Sequence, residues 1–212
     1  RIFKSFKLAI YASLPASVGL FLLARPLSSM IFAAPGAAIP LRYVAGGVIA
    51  VSLQQITSSI LQGFDRPKLP AKNLFWGAAL NAGLNYQLTA LPGLGIKGAA
   101  IGTLAGFTVA AVLNIKHVGE LVSLDFDYSE LLGKPLLASG LMGLVVYFTH
   151  QRLIILFPGG IVATLTAVLV GILSYLVILL INGGLTQDDL RLIPRIGDTL
   201  AAKLEKWQLF ND

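Results

Sequence analysis

The sequence predicts an all-α polytopic membrane protein. Of its 212 residues, 56% are hydrophobic and 12% charged, against about 25% charged in an ordinary soluble domain. Residues 8–24, 43–64, 73–96, 98–115, 135–149 and 153–187 contain no Lys, Arg, Asp or Glu. A spanning helix needs roughly 20 mostly apolar residues, because hydrocarbon offers backbone N–H and C=O groups no partner outside the helix. These windows predict six transmembrane helices, at about 8–32, 41–63, 73–91, 97–115, 134–150 and 160–182. Residues 1–184 then form a six-helix membrane unit, and 185–212 a cytoplasmic amphipathic tail.

Placing both termini on the cytoplasmic side puts twelve basic residues inside and four outside, the latter being Arg25, Arg42, Lys97 and Arg152. The positive-inside rule favours that orientation, and an even number of spans agrees with it. The first apolar run is longer than a signal-peptide core and five more spans follow, so the helices are the protein itself. A chain starting with Arg at the edge of a span is expected to be a piece of a longer protein. A net charge of +6 would suit nucleic acid only if it were clustered on a soluble face. The basic residues here flank apolar spans, so no nucleic-acid partner is expected and the lipid bilayer is.

Taken in order, the first helix carries Pro15 and ends at Arg25-Pro26, and proline inside a span kinks it unless neighbours satisfy the freed carbonyl. AAPGAAIP, residues 33–40, is a small-residue connection. In the second helix Ser52, Gln55, Ser59 and Gln62 recur at spacings of three and four on one face, with Gln54 and Ser58 in an adjoining row. Facing lipid these groups would be unsatisfied. Two readings stand for them: hydrogen bonds to neighbouring helices, or the wall of a watery cavity. GFDRPKLPAK, residues 63–72, breaks the chain into a tight hairpin, with Asp65, Arg66, Pro67 and Lys68 at its tip.

The third helix places Asn73, Gly77, Asn81 and Asn85 in one row. The neutral oxygens of Asn81 and Asn85 suit a cation site or a bond to a neighbour. The fourth helix repeats Gly98, Gly102 and Gly106, a small-xxx-small pattern for close helix approach. Residues 116–134 form an inner connection bearing Glu120, Asp125, Asp127 and Glu130. After Asn182-Gly183-Gly184 the tail shows apolar Leu190, Ile193, Leu200, Leu204 and Trp207 among basic residues, as in amphipathic helices lying on a membrane surface.

No catalytic residues emerge, and no enzyme is expected. There is no Cys, which excludes thiol nucleophiles and thiolate metal sites. Asp125 and Asp127 lie in a short polar loop without a pocket to perturb them. GLGIKG, residues 93–98, matches GxGxxG, but the dinucleotide mechanism requires a strand before it and a βαβ unit around it. Pro92 and flanking apolar helices make it a turn. His117 and His150 each lack a second ligand at helical spacing.

LPASVGLFLLARPLSSMIF, SLQQITSSILQGFDRPKLPAKN, LNAGLNY, GIKGAAIGT and LTQDDLRLIP together resemble the C-terminal half of the stage V sporulation protein B and polysaccharide-exporter group. That group belongs to the superfamily of multidrug, oligosaccharidyl-lipid and polysaccharide flippases. The resemblance runs through essentially the whole chain, and the hairpin is its most specific piece. It implies that this chain forms most of one lobe of a two-lobe flippase, with an N-terminal lobe of the longer chain as its partner.

The substrate so implied is a polyprenyl-pyrophosphate-linked glycan or peptidoglycan precursor, moved across the bacterial cytoplasmic membrane by alternating access. Ser52, Gln55, Ser59, Gln62, Arg25 and Arg42 are then the substrate-cavity candidates. The resemblance also places Asn81, Asn85 and Thr103 near a sodium site, making Na+ the one cofactor to consider. The alternatives are cation-coupled multidrug efflux on the same fold, which usually wants a buried carboxylate that these spans lack, and a non-transporting membrane scaffold.

Overall fold

The computed structural model describes residues 2–122, 127, 129–157 and 160–184. The tail predicted over 185–212 lies outside them, as do residues 123–126 and 128 of the acidic connection, Asp125 among them. The described residues are helical, with no strand. In order they form α1 (Ile2–Leu22), α2 (Ala24–Phe32), a 3₁₀ turn (Pro35–Ala37), α3 (Ala38–Gly63), α4 (Lys68–Thr89), α5 (Ile96–Leu121), a π turn (Ser129–Gly133), α6 (Lys134–Leu156) and α7 (Ile161–Ile181).

The first predicted span is two helices rather than one. The break falls at Leu23, and its cause is Pro26, whose ring has no N–H to donate and collides with the carbonyl four residues back, at Leu22. Pro15 has the same chemistry, yet α1 runs through it unbroken. The carbonyl that Pro15 leaves free is that of Tyr11, and the Tyr175 hydroxyl of α7 donates to it at 2.8 Å in a buried contact. One proline therefore breaks its helix, whereas the other is accommodated by a donor from a neighbour.

Among the described residues five helices are long and apolar enough to cross a membrane, including those that begin at Pro35 and Ser129 if their leading turns are counted. The sixth expected span, α4, has 22 residues and so reaches about 33 Å at 1.5 Å per residue, but Lys68, Lys72, three Asn and Gln87 make it too polar by composition. α5 and α6 run longer than predicted, to Leu121 and Leu156. Helix α5 thus takes up the first third of the expected inner connection.

Helix α1 joins two sub-bundles. On one side it packs against α3, which packs against α5, which carries α4. Phe6, Ile10 and Leu14 of α1 and Leu131 form the buried centre there, with Ile49, Leu53, Ile60 and Ile115 around them. On the other side α1 meets α6 and α7, with Tyr11, Met142, Val146, Tyr175 and Leu179 buried together. Gly171 sits opposite Val146, where an added methyl group would meet its side chain. At the hairpin end Lys7, 3% exposed, donates to Glu130 Oε1 at 2.7 Å, and the Tyr11 hydroxyl donates to the Glu130 carbonyl at 2.8 Å. A buried ion pair so bonded fixes position more than it adds stability.

Tyr175→Phe is expected to lower stability by about 1–3 kcal/mol, the usual cost of leaving a buried carbonyl unpaired. In a Pro15→Ala background, where an alanine N–H serves that carbonyl, the same change should cost less. Unfolding of the four variants in one detergent measures the difference.

Candidate functional site

The polar residues of α3 divide between two uses. Gln54, Thr57 and Leu61 are buried, whereas Gln55, Ser59 and Gln62 are exposed. The inward row is tied into a network. Asn114 of α5, 0% exposed, donates from Nδ2 to Ser58 Oγ at 2.9 Å and to the Gln54 carbonyl at 3.3 Å. Gln54 Nε2 also donates to Ser58 Oγ, at 3.1 Å. Across the bundle Asn73 of α4 donates to Asn114 Oδ1 at 2.8 Å and approaches His117 Nδ1 at 3.1 Å. Three helices are therefore joined through one buried amide. Asn114 was not singled out from sequence; a lone Asn in a long apolar run, three residues before a His, was the available signal.

Helix-to-helix bonding accordingly belongs to the Gln54/Ser58 row, and among the described residues Gln55, Ser59 and Gln62 bond no other helix. The Ser59 hydroxyl donates to the Gln55 carbonyl of its own helix at 3.0 Å. Ser52 departs from this group. It lines a groove of about 230 Å³ between α3 and α5 with Val44, Val48, Thr103 and Phe107.

The other expected residues fall at the two ends. Arg42 is exposed, with its guanidinium 5.6 Å from the Phe21 ring centre. Arg25 is exposed on α2, and its carbonyl accepts from Ser28 and Ser29. At the opposite end Asp65, Arg66, Pro67 and Lys68 are all exposed. Asp65 has φ 57°, its N–H bonds the Gln62 carbonyl at 3.0 Å, and the Arg66 N–H bonds that of Leu61 at 2.9 Å. This pair of bonds closes α3 with a Schellman motif, with Asp65 in the left-handed position that usually takes Gly.

The seam between α4 and α5 is held by glycine. A methyl group on Gly106 would strike the Gly77 carbonyl and the Asn81 Cβ, and one on Gly102 the Asn85 side-chain oxygen. Gly98 meets the backbone of Leu88. Next to it the GLGIKG stretch is the α4–α5 turn, with Gly93 and Gly95 at positive φ.

In that seam Asn81 Oδ1 and Asn85 Oδ1 are buried and, among the described residues, accept no hydrogen bond. Two orphaned neutral oxygens fit part of an oxygen-only cation site. The structure does not bring Thr103 to them: its hydroxyl donates to the Ala99 carbonyl at 2.9 Å, and its side chain lines the α3 groove. No cluster of three His, Cys, Asp or Glu occurs among the described residues.

Asn114→Ala removes the amide that serves Asn73, Gln54 and Ser58. It should destabilise the chain by about 1–3 kcal/mol, while Thr108→Ala, on the exposed side of the same helix, stays within about 0.5 kcal/mol. Thermal unfolding in one detergent compares them.

No protein-family model matches the chain, and no solved structure matches it significantly. Curated relatives do match. Uncharacterized membrane protein YabM of Bacillus subtilis is 28% identical over 200 residues, covering 92% of this chain and 37% of the relative. Stage V sporulation protein B of the same organism is 23% identical over 201 residues, 93% of this chain and 38% of the relative. The probable low-salt glycan biosynthesis flippase Agl15 of Haloferax volcanii is 29% identical over 152 residues, 69% of this chain and 32% of the relative. The chain thus spans 32–38% of the length of these relatives. A multi-pass helical membrane chain so matched is similar to proteins that include a sporulation protein and a probable glycan biosynthesis flippase.

Proposed function

We propose that this chain is the C-terminal portion of a two-lobe flippase that carries a polyprenyl-pyrophosphate-linked oligosaccharide or peptidoglycan precursor across the cytoplasmic membrane by alternating access. The observation that carries the reading is the exposed row Gln55, Ser59 and Gln62 on an apolar helix of a chain related to a named glycan flippase. Amides and hydroxyls turned away from their own bundle, on a helix long enough to span, are costly against lipid. They suit a hydrated path for a sugar headgroup, completed by an N-terminal lobe.

A lipid-linked substrate also needs apolar surface for its tail. Helices α1, α6 and α7 enclose a groove of about 550 Å³ lined by Tyr11, Pro15, Gly19, Met142, Val168 and Tyr175. A chain of carbons fits its chemistry. Asn81 and Asn85, without Thr103, are the residues that would hold a coupling sodium ion, and both termini are placed on the cytoplasmic side.

The test uses cells depleted of their own precursor flippase and expressing the full-length protein that contains this chain, scored for lipid-linked precursor exposed outside. Restored exposure is expected, and Gln55→Leu with Gln62→Leu should lower it several-fold at unchanged protein level. Equal exposure in that variant would remove the path reading of the row.

A further inference from the structure

Arg42 lies off the exposed polar face of its own helix. Successive residues of an α-helix turn by about 100°, which sets Arg42 about 140° and Gly46 about 180° around α3 from Gln55. The row of Gln55, Ser59 and Gln62 therefore does not extend to Arg42, and whatever meets its guanidinium does so on another side of α3. That side holds a groove of about 330 Å³ between α1, α3 and α5, lined in part by Val18, Phe21, Gly46 and Leu104 together with Arg42 and Tyr43. Phe21 and Tyr43 are themselves partly exposed, and tyrosine in such a place marks headgroup depth at a membrane surface.

The charge at this end of the bundle is unbalanced. Arg25, Arg42, Lys97 and Arg152 all lie here, opposite the hairpin. The carboxylates among the described residues, Asp65, Glu120, Asp127 and Glu130, all lie at the hairpin end. None of them pairs with Arg42, whose guanidinium stands 5.6 Å from the Phe21 ring centre.

A planar guanidinium presents parallel N–H donors that match two oxygens of a phosphate. The groove beside it offers apolar surface, which suits an alkyl chain. One ligand chemistry meets both demands: a phosphate ester that carries a hydrocarbon chain. The four cations at this end disfavour a headgroup with its own ammonium, so the ester should bear a net negative charge.

We propose that Arg42 and its groove bind an acidic phospholipid of the bilayer, with the phosphate on the guanidinium and part of one acyl chain against Val18, Phe21, Gly46 and Leu104. The choice of a bilayer lipid over the transported cargo rests on the reading of Gln55, Ser59 and Gln62 as the cargo path, since Gly46 is on the opposite face of α3.

Native mass spectrometry of the full-length protein that contains this chain tests the site. The probes are phosphatidylglycerol, phosphatidylethanolamine with the same acyl chains, polyprenyl pyrophosphate and inorganic phosphate. The unmodified protein should retain phosphatidylglycerol several-fold over phosphatidylethanolamine. Arg42→Gln should abolish that preference. Gly46→Leu, whose longer side chain enters space where no atom stands within 4 Å of an added methyl group, should lower phosphatidylglycerol retention with the cation still in place. Arg152→Gln, at the same end but outside the groove, should keep the preference.

Equal retention of the two lipids by the unmodified protein would overturn the proposal without any variant having to fold. So would a preference that survives Arg42→Gln, or one lost equally in Arg152→Gln. Displacement by inorganic phosphate would leave an anion site without the lipid, and displacement by equimolar polyprenyl pyrophosphate would return Arg42 to the cargo path; either result overturns it. Gln55→Leu with Gln62→Leu should leave lipid retention unchanged, so failure of the path and failure of the lipid site are read on separate variants.

Discussion

Asn114 has no water to fall back on where α3, α4 and α5 meet, so every hydrogen-bonding group brought there must be met by another helix. Its amide accepts from α4 and donates to α3, which fixes the rotation of both relative to α5. Everything polar on α3 follows from that rotation. Once Gln54 and Ser58 are turned inward to meet Asn114, Gln55, Ser59 and Gln62 are turned outward by helical geometry alone.

The second half of the chain solves the same problem with one hydroxyl. Tyr175 reaches the carbonyl that Pro15 frees, so the most hydrophobic helix is registered against α1 by a polar contact within an otherwise apolar interface. The Lys7–Glu130 pair and the Tyr11 bond to the Glu130 carbonyl repeat the tie one turn or so toward the hairpin end. Apolar packing in lipid has little preference for one rotation over another, because lipid tails are as apolar as leucine. Sparse hydrogen bonds supply that preference, and glycine sets how near the helices come.

The class of fold was legible because hydrocarbon imposes a length and a composition on each span. The hairpin was legible from Gly, Pro and charge, and the glycine seam from its spacing of four. A helix end at Arg25-Pro26 was legible too, but not that Pro15 would leave α1 unbroken, since the two prolines look alike in one dimension and differ in having Tyr175 opposite one of them. The two rows on α3 were equally ambiguous: Gln54/Ser58 and Gln55/Ser59 have the same spacing, and what separates them is Asn114, 56 residues from Ser58 along the chain. His117 looked like an ordinary interfacial histidine because its approach to Asn73 is set by the folded arrangement. Thr103 was expected beside Asn81 and Asn85, but one residue's rotation from Gly102 carries it to the α3 side of the helix.

The central claim is the division of α3 into a packing row and a water-facing row, and the most direct measurement is the accessibility of nitroxide labels on single cysteines along residues 52–62 of the full-length protein in membranes. A polar relaxation agent should reach labels at Gln55, Ser59 and Gln62 and not those at Gln54 and Thr57. Labels at 55, 59 and 62 relaxed by oxygen from the lipid, and shielded from the polar agent, would contradict the account by showing that this row faces hydrocarbon.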